Sequence, residues 1–104
     1  MRLQFLGSAA LAALLGGLSL PAQADDEGRK LFTSVTPACA LCHKLKDAGA
    51  TGEIGPSLDE LKPDASQVVK ALKTGIGQMP AFTHLTEAQV QALARYVEQA
   101  TKTK

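Results

Sequence analysis

Cys39-Ala40-Leu41-Cys42-His43 is the stretch that the rest of the chain must fold around. Two thiols three residues apart, with an imidazole directly after the second, form the attachment pattern of a covalently bound haem. Each thiol can form a thioether with one vinyl group of the porphyrin, and the imidazole of His43 can reach the iron as an axial ligand. The stretch therefore predicts one haem c, held by two thioethers, with His43 bound to its iron.

Other uses of a cysteine pair fit this stretch less well. A structural zinc site needs four ligands, and the remaining histidine, His84, lies too far along the chain to complete a zinc-finger spacing. A thioredoxin-like dithiol needs a βαβ framework, and no strand-like alternation surrounds Cys39. A plain disulfide is open to any cysteine pair in an oxidising compartment, but it gives no reason for the adjacent histidine.

The first 24 residues have the layout of a secretory signal peptide. Arg2 gives a positive start, an uncharged and mostly apolar stretch follows, and a small-residue Ala-Gln-Ala site ends at Ala24. We predict a cleaved signal peptide at residues 1–24 and a monohaem domain at residues 25–104. The alternative is a retained membrane anchor, because the apolar stretch is close to spanning length.

The signal-peptide layout and the cysteine chemistry both indicate a protein exported to a bacterial periplasm. Cleavage removes one of the 11 basic residues and none of the 10 acidic residues, so the mature chain is neutral. This balance argues against nucleic acid as a partner, and no membrane contact is expected after cleavage. Haem attachment takes place on the oxidising side of the membrane. Because so short a chain buries little surface, the haem must supply much of the core.

Apolar residues at helical spacing predict three helices. The first is expected over residues 25–35 and the second over residues 64–74. The third begins after Thr86, which forms a capping box with Gln89, and residues 101–104 form a polar frayed tail. The buried face of this last helix is expected to contain Val90, Leu93, Ala94 and Val97.

The segments between these helices have weaker signals. Residues 43–46 are expected to continue the helical turn of the haem motif, and residues 47–58 to form a loop. No segment alternates with a period of two, so no sheet is expected. Within the loop, a rigid Gly-Pro turn can place the carbonyl of Pro56 near Nδ1–H of His43, and Leu58 can then pack on the porphyrin. An ordinary surface turn is the other interpretation.

Residues 75–82 contain too much glycine and proline for a helix or a strand, so order there requires something to wrap. Met79 in this loop is the natural second axial ligand, because its thioether is soft, binds no competing proton and raises the reduction potential. Methionine in an apolar stretch is more often core filler. His84 is the rival ligand, and its use would lower the potential.

Over nearly its whole mature length, the chain resembles the class I cytochromes c. The resemblance rests on the haem motif near the amino terminus, the Gly-Pro-Ser-Leu turn at residues 55–58, the loop with Met79-Pro80 and a carboxy-terminal helix. It implies an all-α fold, with three to four short helices and loops wrapped around one covalently bound haem. It also implies haem contacts from Cys39, Cys42, Pro56 and Leu58, and iron ligation by His43 and Met79.

The resemblance also implies how the first and last helices meet. In that family they cross at a small residue and pack an aromatic pair there. The residues that fit this crossing are Gly28, Phe32, Leu93 and Tyr96. The chain has no Trp, which many members use to hold a haem propionate, so no propionate contact is predicted. Its haem motif lies near the amino terminus, unlike that of the gas-binding four-helix-bundle cytochromes.

The function implied by the resemblance is one-electron transfer, not enzyme catalysis. Residues 55–63 look like those of small periplasmic cytochromes that accept electrons from sulfite dehydrogenase, which makes that enzyme the implied donor. A terminal oxidase or another cytochrome would be the acceptor, met by a monomer in transient complexes. The lysines that can steer an acidic partner, or that simply cover solvated helix faces, are Lys44, Lys46, Lys70 and Lys73.

Two other functions stay open at this point. The chain could be a tightly bound haem subunit of a periplasmic dehydrogenase, such as sulfite dehydrogenase, which co-purification would reveal. A haem peroxidase or gas sensor would need Met79 displaced to open the distal site, and CO binding by the reduced protein would favour it. The intact loop around Met79 favours a closed site.

Overall fold

The computed structural model describes residues 20–102, with the side chains of residues 26–102. Residues 1–19 of the predicted signal peptide lie outside this range, and its last residues belong to the first helix. Within residues 20–102, no helix combines the length and the apolar composition that a membrane span requires.

The described chain is mainly helical. Its helices in order are α1 (Leu20–Ser34), α2 (Cys39–Cys42), α3 (Leu58–Leu61), α4 (Ala65–Thr74) and α5 (Glu87–Lys102). Between α2 and α3 lie β1 (Lys44–Leu45), a 3-10 turn (Lys46–Ala48) and β2 (Ala50–Thr51). Helix α5 packs against both α1 and α4, and this arrangement forms the main core.

The predicted crossing of the first and last helices is confirmed at Gly28. A Cβ at this position would overlap the Cβ of Tyr96 and lie 2.7 Å from the carbonyl oxygen of Ala92, so only glycine allows so close an approach. Phe32 packs edge-on against Tyr96, with ring centroids 6.2 Å apart. Leu93 beside this contact is almost completely buried. The expected small residue and aromatic pair therefore hold α1 against α5.

Both long helices in the second half begin at capping boxes. At α5, the backbone N–H of Gln89 donates to Oγ1 of Thr86 (3.1 Å), and the Thr86 N–H donates to Oε1 of Gln89 (2.9 Å). Asp64 and Gln67 form the same pair of bonds at α4, which ends at Thr74 as predicted. The predicted buried face of α5 is also confirmed, since Val90, Leu93, Ala94 and Val97 are all buried.

Two local predictions are wrong directly after the haem cysteines. His43 does not continue the helical turn, because its backbone is extended (φ −120°, ψ 138°) and leads directly into β1. A small antiparallel sheet exists, with Leu45 paired to Ala50. Its two-residue strands are too short for alternation to show in the sequence, and burial of Leu45 in the core stabilises the pairing.

The ends of the outer helices also differ from expectation. Helix α1 begins at Leu20, before the predicted start at Asp25. Thr101 is not part of a frayed tail, because it is completely buried in α5 and its hydroxyl donates to the carbonyl of Val97 at 2.8 Å. A threonine hydroxyl can donate its hydrogen bond to a carbonyl of its own helix, so a threonine can be buried although it is polar.

Polar side chains join three elements near the haem motif. The hydroxyl of Tyr96 in α5 donates to Asp47 Oδ2 at 2.6 Å, and the guanidinium of Arg29 in α1 donates to the same oxygen at 3.0 Å. Burial, followed by the bond to Asp47, raises the pKa of Tyr96 above its ordinary value. The 3-10 turn that follows His43 is thereby attached to the crossing of α1 and α5.

Candidate functional site

The two cysteines lie at the ends of helix α2, which is a single turn. Both are free and half-buried, and residues three apart share one face of a helix. Burial raises the pKa of the Cys39 thiol to about 11, so this thiol is protonated at neutral pH. One turn of helix thus places both thiols on the same face.

His43 follows α2 directly, and a hydrogen bond orients its ring. Its Nδ1 lies 2.7 Å from the carbonyl oxygen of Pro56, which is the first of the two interpretations that the sequence left open for the Gly-Pro turn. A carbonyl can only accept, so Nδ1 carries the proton in this contact, and in the neutral ring Nε2 keeps the lone pair. Nε2 is therefore the atom with which His43 can bind a metal.

Gly55 leaves room for the His43 ring. A Cβ on this residue would lie 2.7 Å from Cε1 and 3.0 Å from Nδ1 of His43. The Gly55 N–H also donates to the carbonyl of Cys42 at 2.6 Å, which holds the two segments together at this point. The Gly-Pro pair therefore has a steric role and a hydrogen-bonding role beside the imidazole.

Replacing Gly55 with alanine is expected to lower the free energy of unfolding by about 1–3 kcal/mol, because the new methyl group must push the His43 ring or its own backbone aside. Chemical denaturation checks the value. Ile54→Ala is a matched control, since the Ile54 side chain is 73% exposed and its loss removes little packing. Equal stability of the two variants would contradict the steric role.

The loop between α4 and α5 carries Met79. Paired backbone bonds of 3.0 and 2.9 Å join Ile76 and Met79, and the N–H of Phe82 donates to Leu72 at the end of α4. The Met79 side chain is partly buried and packs against the core. His84 is exposed, and its ring lies 5.8 Å, centroid to centroid, from Phe82. Of the two candidates for the second axial ligand, Met79 is the one that packs against the core.

Leu58 is the first residue of α3 and is buried in the core. The side chain of Ser57 caps this helix by accepting from the N–H of Glu60 at 3.4 Å. The cap fixes where the chain turns after Pro56, and so positions both the Pro56 carbonyl and Leu58.

Asp59 has a position that the sequence did not reveal. Its Oδ2 accepts from the backbone N–H of Lys46 at 2.8 Å. An aspartate in the first turn of a helix is already favourable next to the helix dipole, so the sequence offers no separate signal for this bond.

The residues present fit a covalently attached haem. Two free thiols lie at the ends of one helical turn, and Nε2 of His43 is left for a metal. Gly55 lies close against the imidazole ring of His43. A soft thioether on a glycine-bounded loop is the donor that complements an imidazole on haem iron. The predicted site residues thus have the donor chemistry that the group requires.

Comparisons with known proteins agree with this description. The family described as "Cytochrome C oxidase, cbb3-type, subunit III" matches residues 23–97. A solved structure, described as the c-type cytochrome SorU from Sinorhizobium meliloti, is similar with a TM-score of 0.75 and 48% sequence identity. The similarity covers 77% of this chain and 93% of that chain. A comparison with curated proteins gave no match.

Proposed function

Because the chain belongs to the c-type cytochromes, with the class I fold and covalent haem c, we propose that it is a periplasmic one-electron carrier with His43 and Met79 as axial ligands. When bound, the haem supplies the one-electron chemistry by alternating between ferric and ferrous iron. The bond from His43 to Pro56 supports the proposal most directly, since it leaves Nε2 for the metal. The family itself indicates an electron-transfer protein.

Each proposed site residue has a separate task. Cys39 and Cys42 would hold the porphyrin covalently, so the carrier would not lose it between electron transfers. His43 donates through Nε2, and the Pro56 carbonyl makes the imidazole a stronger donor by accepting its other proton. Met79 would supply the second ligand through its thioether, which would leave no position on the iron for a substrate.

Redox proteins of the periplasm are the proposed partners. We place the mature chain in that compartment because residues 1–24 have a signal-peptide layout. Similarity to SorU and the resemblance of residues 55–63 to acceptors of sulfite dehydrogenase support such an enzyme as donor. A terminal oxidase or another cytochrome is the proposed acceptor. A stable haem subunit of a periplasmic dehydrogenase, such as sulfite dehydrogenase, is the second candidate. The matching family is itself described as a subunit of a larger enzyme, which supports a stable complex. Co-purification from the native periplasm separates the two candidates.

An absorption spectrum tests the proposal. Protein from a host able to attach haem is measured oxidised and then reduced, and is afterwards extracted with acid and acetone. Haem that stays on the polypeptide, with the weak far-red band of a methionine-ligated ferric iron, is the expected result. Retained haem without that band would contradict Met79 ligation, and extractable haem would contradict the attachment.

Replacing Lys46 with glutamine is expected to slow reduction by an acidic donor about two- to threefold at low salt, because an exposed charge steers encounter. Lys73→Gln should have a smaller effect, since Nζ of Lys73 already lies 2.9 Å from a Glu87 carboxylate oxygen. Stopped-flow rates at about 10 mM and about 1 M ionic strength measure both, because salt removes the steering. Unchanged rates for Lys46→Gln at low salt would remove the steering idea.

A further inference from the structure

Three hydrogen bonds join the segment at residues 42–46 to the segment at residues 55–59, each between residues 13 apart. They link Gly55 N to Cys42 O (2.6 Å), His43 Nδ1 to Pro56 O (2.7 Å) and Lys46 N to Asp59 Oδ2 (2.8 Å). The two segments therefore run alongside each other, and the imidazole contact lies between the other two bonds.

Only the third bond uses an acceptor that a substitution can remove while leaving the main chain intact. The Gly55 bond joins two backbone groups, and the Pro56 acceptor is a backbone carbonyl. Asp59 accepts with its side chain. It stands at the second position of α3, the helix that begins directly after the Pro56-Ser57 turn. The Asp59 side chain is therefore one of the contacts that tie α3 to the segment of His43, beside the Ser57 cap and the buried Leu58.

The two carboxylate oxygens of Asp59 differ in their surroundings. Oδ1 is buried and has no hydrogen-bond partner among the residues that the structure describes. A buried polar atom without a partner is unfavourable, so the burial of Asp59 needs a compensating contact. The bond that Asp59 Oδ2 accepts from the Lys46 N–H is such a contact.

We propose that Asp59 is a positioning residue for His43, holding the Pro56 carbonyl against Nδ1 through its bond to the Lys46 N–H. The proposal rests on the proposed function, in which His43 is an axial ligand. Without Asp59, α3 can pivot about the bond between Gly55 and Cys42. The bond from His43 to Pro56 then lengthens, the imidazole donates less strongly, and the ferric state loses stabilisation.

The test compares Asp59→Ala with Asp59→Asn in haem-loaded protein. Both changes remove the charge, but asparagine keeps an acceptor oxygen for the Lys46 N–H. NMR of the reduced protein measures hydrogen exchange of His43 Nδ1–H, and potentiometry measures the reduction potential. We expect exchange to be about tenfold faster in Asp59→Ala and near wild type in Asp59→Asn. The potential should rise in both, and further in Asp59→Ala.

A neighbouring carboxylate and a second variant complete the design. Glu60→Ala removes an exposed charge from the same helix and should leave the exchange rate unchanged. Lys46→Pro deletes the donor and keeps Asp59, so it should reproduce the faster exchange even if Asp59→Ala fails to fold. Proline suits this first position of a 3-10 turn, because the preceding Leu45 is extended. Lys46→Gln is its charge control.

Two results would overturn the proposal, and they differ. Wild-type exchange in Asp59→Ala, or in Lys46→Pro, would show that Asp59 does not position His43, while leaving the ligation intact. The NMR spectrum of the reduced wild-type protein should show His43 signals shifted by the ring current of the haem. Their absence would contradict His43 ligation itself, and with it the positioning role.

Discussion

Replacing Met79 with alanine is expected to lower the reduction potential by roughly 0.2 V, since axial ligands account for much of the wide range of haem potentials. The thioether favours the ferrous state because it is a soft donor. Alanine cannot reach the iron, so one axial position opens and the far-red band of the ferric protein disappears. Potentiometry and absorption spectra of the variant measure both effects.

The open position in Met79→Ala should also let the reduced protein bind CO without denaturant, which the wild type should not do. This comparison separates an electron carrier from a peroxidase or gas sensor, because those functions need an open site in the native chain. CO binding by the wild type would favour the open-site functions and contradict the proposed carrier.

His84→Ala is the matched control for Met79→Ala. His84 lies in the same interhelical segment, but its side chain is exposed and its ring contacts Phe82. Met79 packs on the core. The loss of His84 should leave the far-red band and the potential close to wild type. If instead His84→Ala shifted the potential and Met79→Ala did not, the second ligand would be His84.

Replacing Gly28 with valine is expected to destabilise the protein by about 3 kcal/mol or more, at the upper end of the overpacking range. The first added carbon already overlaps Cβ of Tyr96 and lies 2.7 Å from the Ala92 carbonyl, which is helix backbone and cannot rotate away. Helices α1 and α5 would have to separate, and the contact between Phe32 and Tyr96 would open. Denaturant unfolding of the haem-loaded protein measures the change.

Lys30→Val separates this clash from the helix propensity of valine. Lys30 is exposed on the same helix, so the control introduces the same β-branched side chain without a close contact. We expect Lys30→Val to cost less than about 1 kcal/mol. Similar unfolding free energies for Gly28→Val and Lys30→Val would mean that α1 and α5 do not depend on the close approach at Gly28.

Short-range patterns in the sequence predicted those parts of the protein that depend on neighbouring residues. The haem motif, the capping box of Thr86 with Gln89 and the apolar stripe of α5 each lie within a few helical turns. Their physics is local, because spacing alone brings the side chains together. The resemblance to class I cytochromes c added the crossing at Gly28, which spacing did not supply.

Tertiary structure decided the features that join distant residues. His43 leaves the helix because β1 pairs with β2 and Leu45 enters the core, so burial overrides the local tendency to continue a turn. Tyr96 and Asp47 meet across 49 residues, and Asp59 reaches Lys46 across 13. Such bonds form only after the helices have packed, because no spacing pattern encodes which side chains a folded core will bring together.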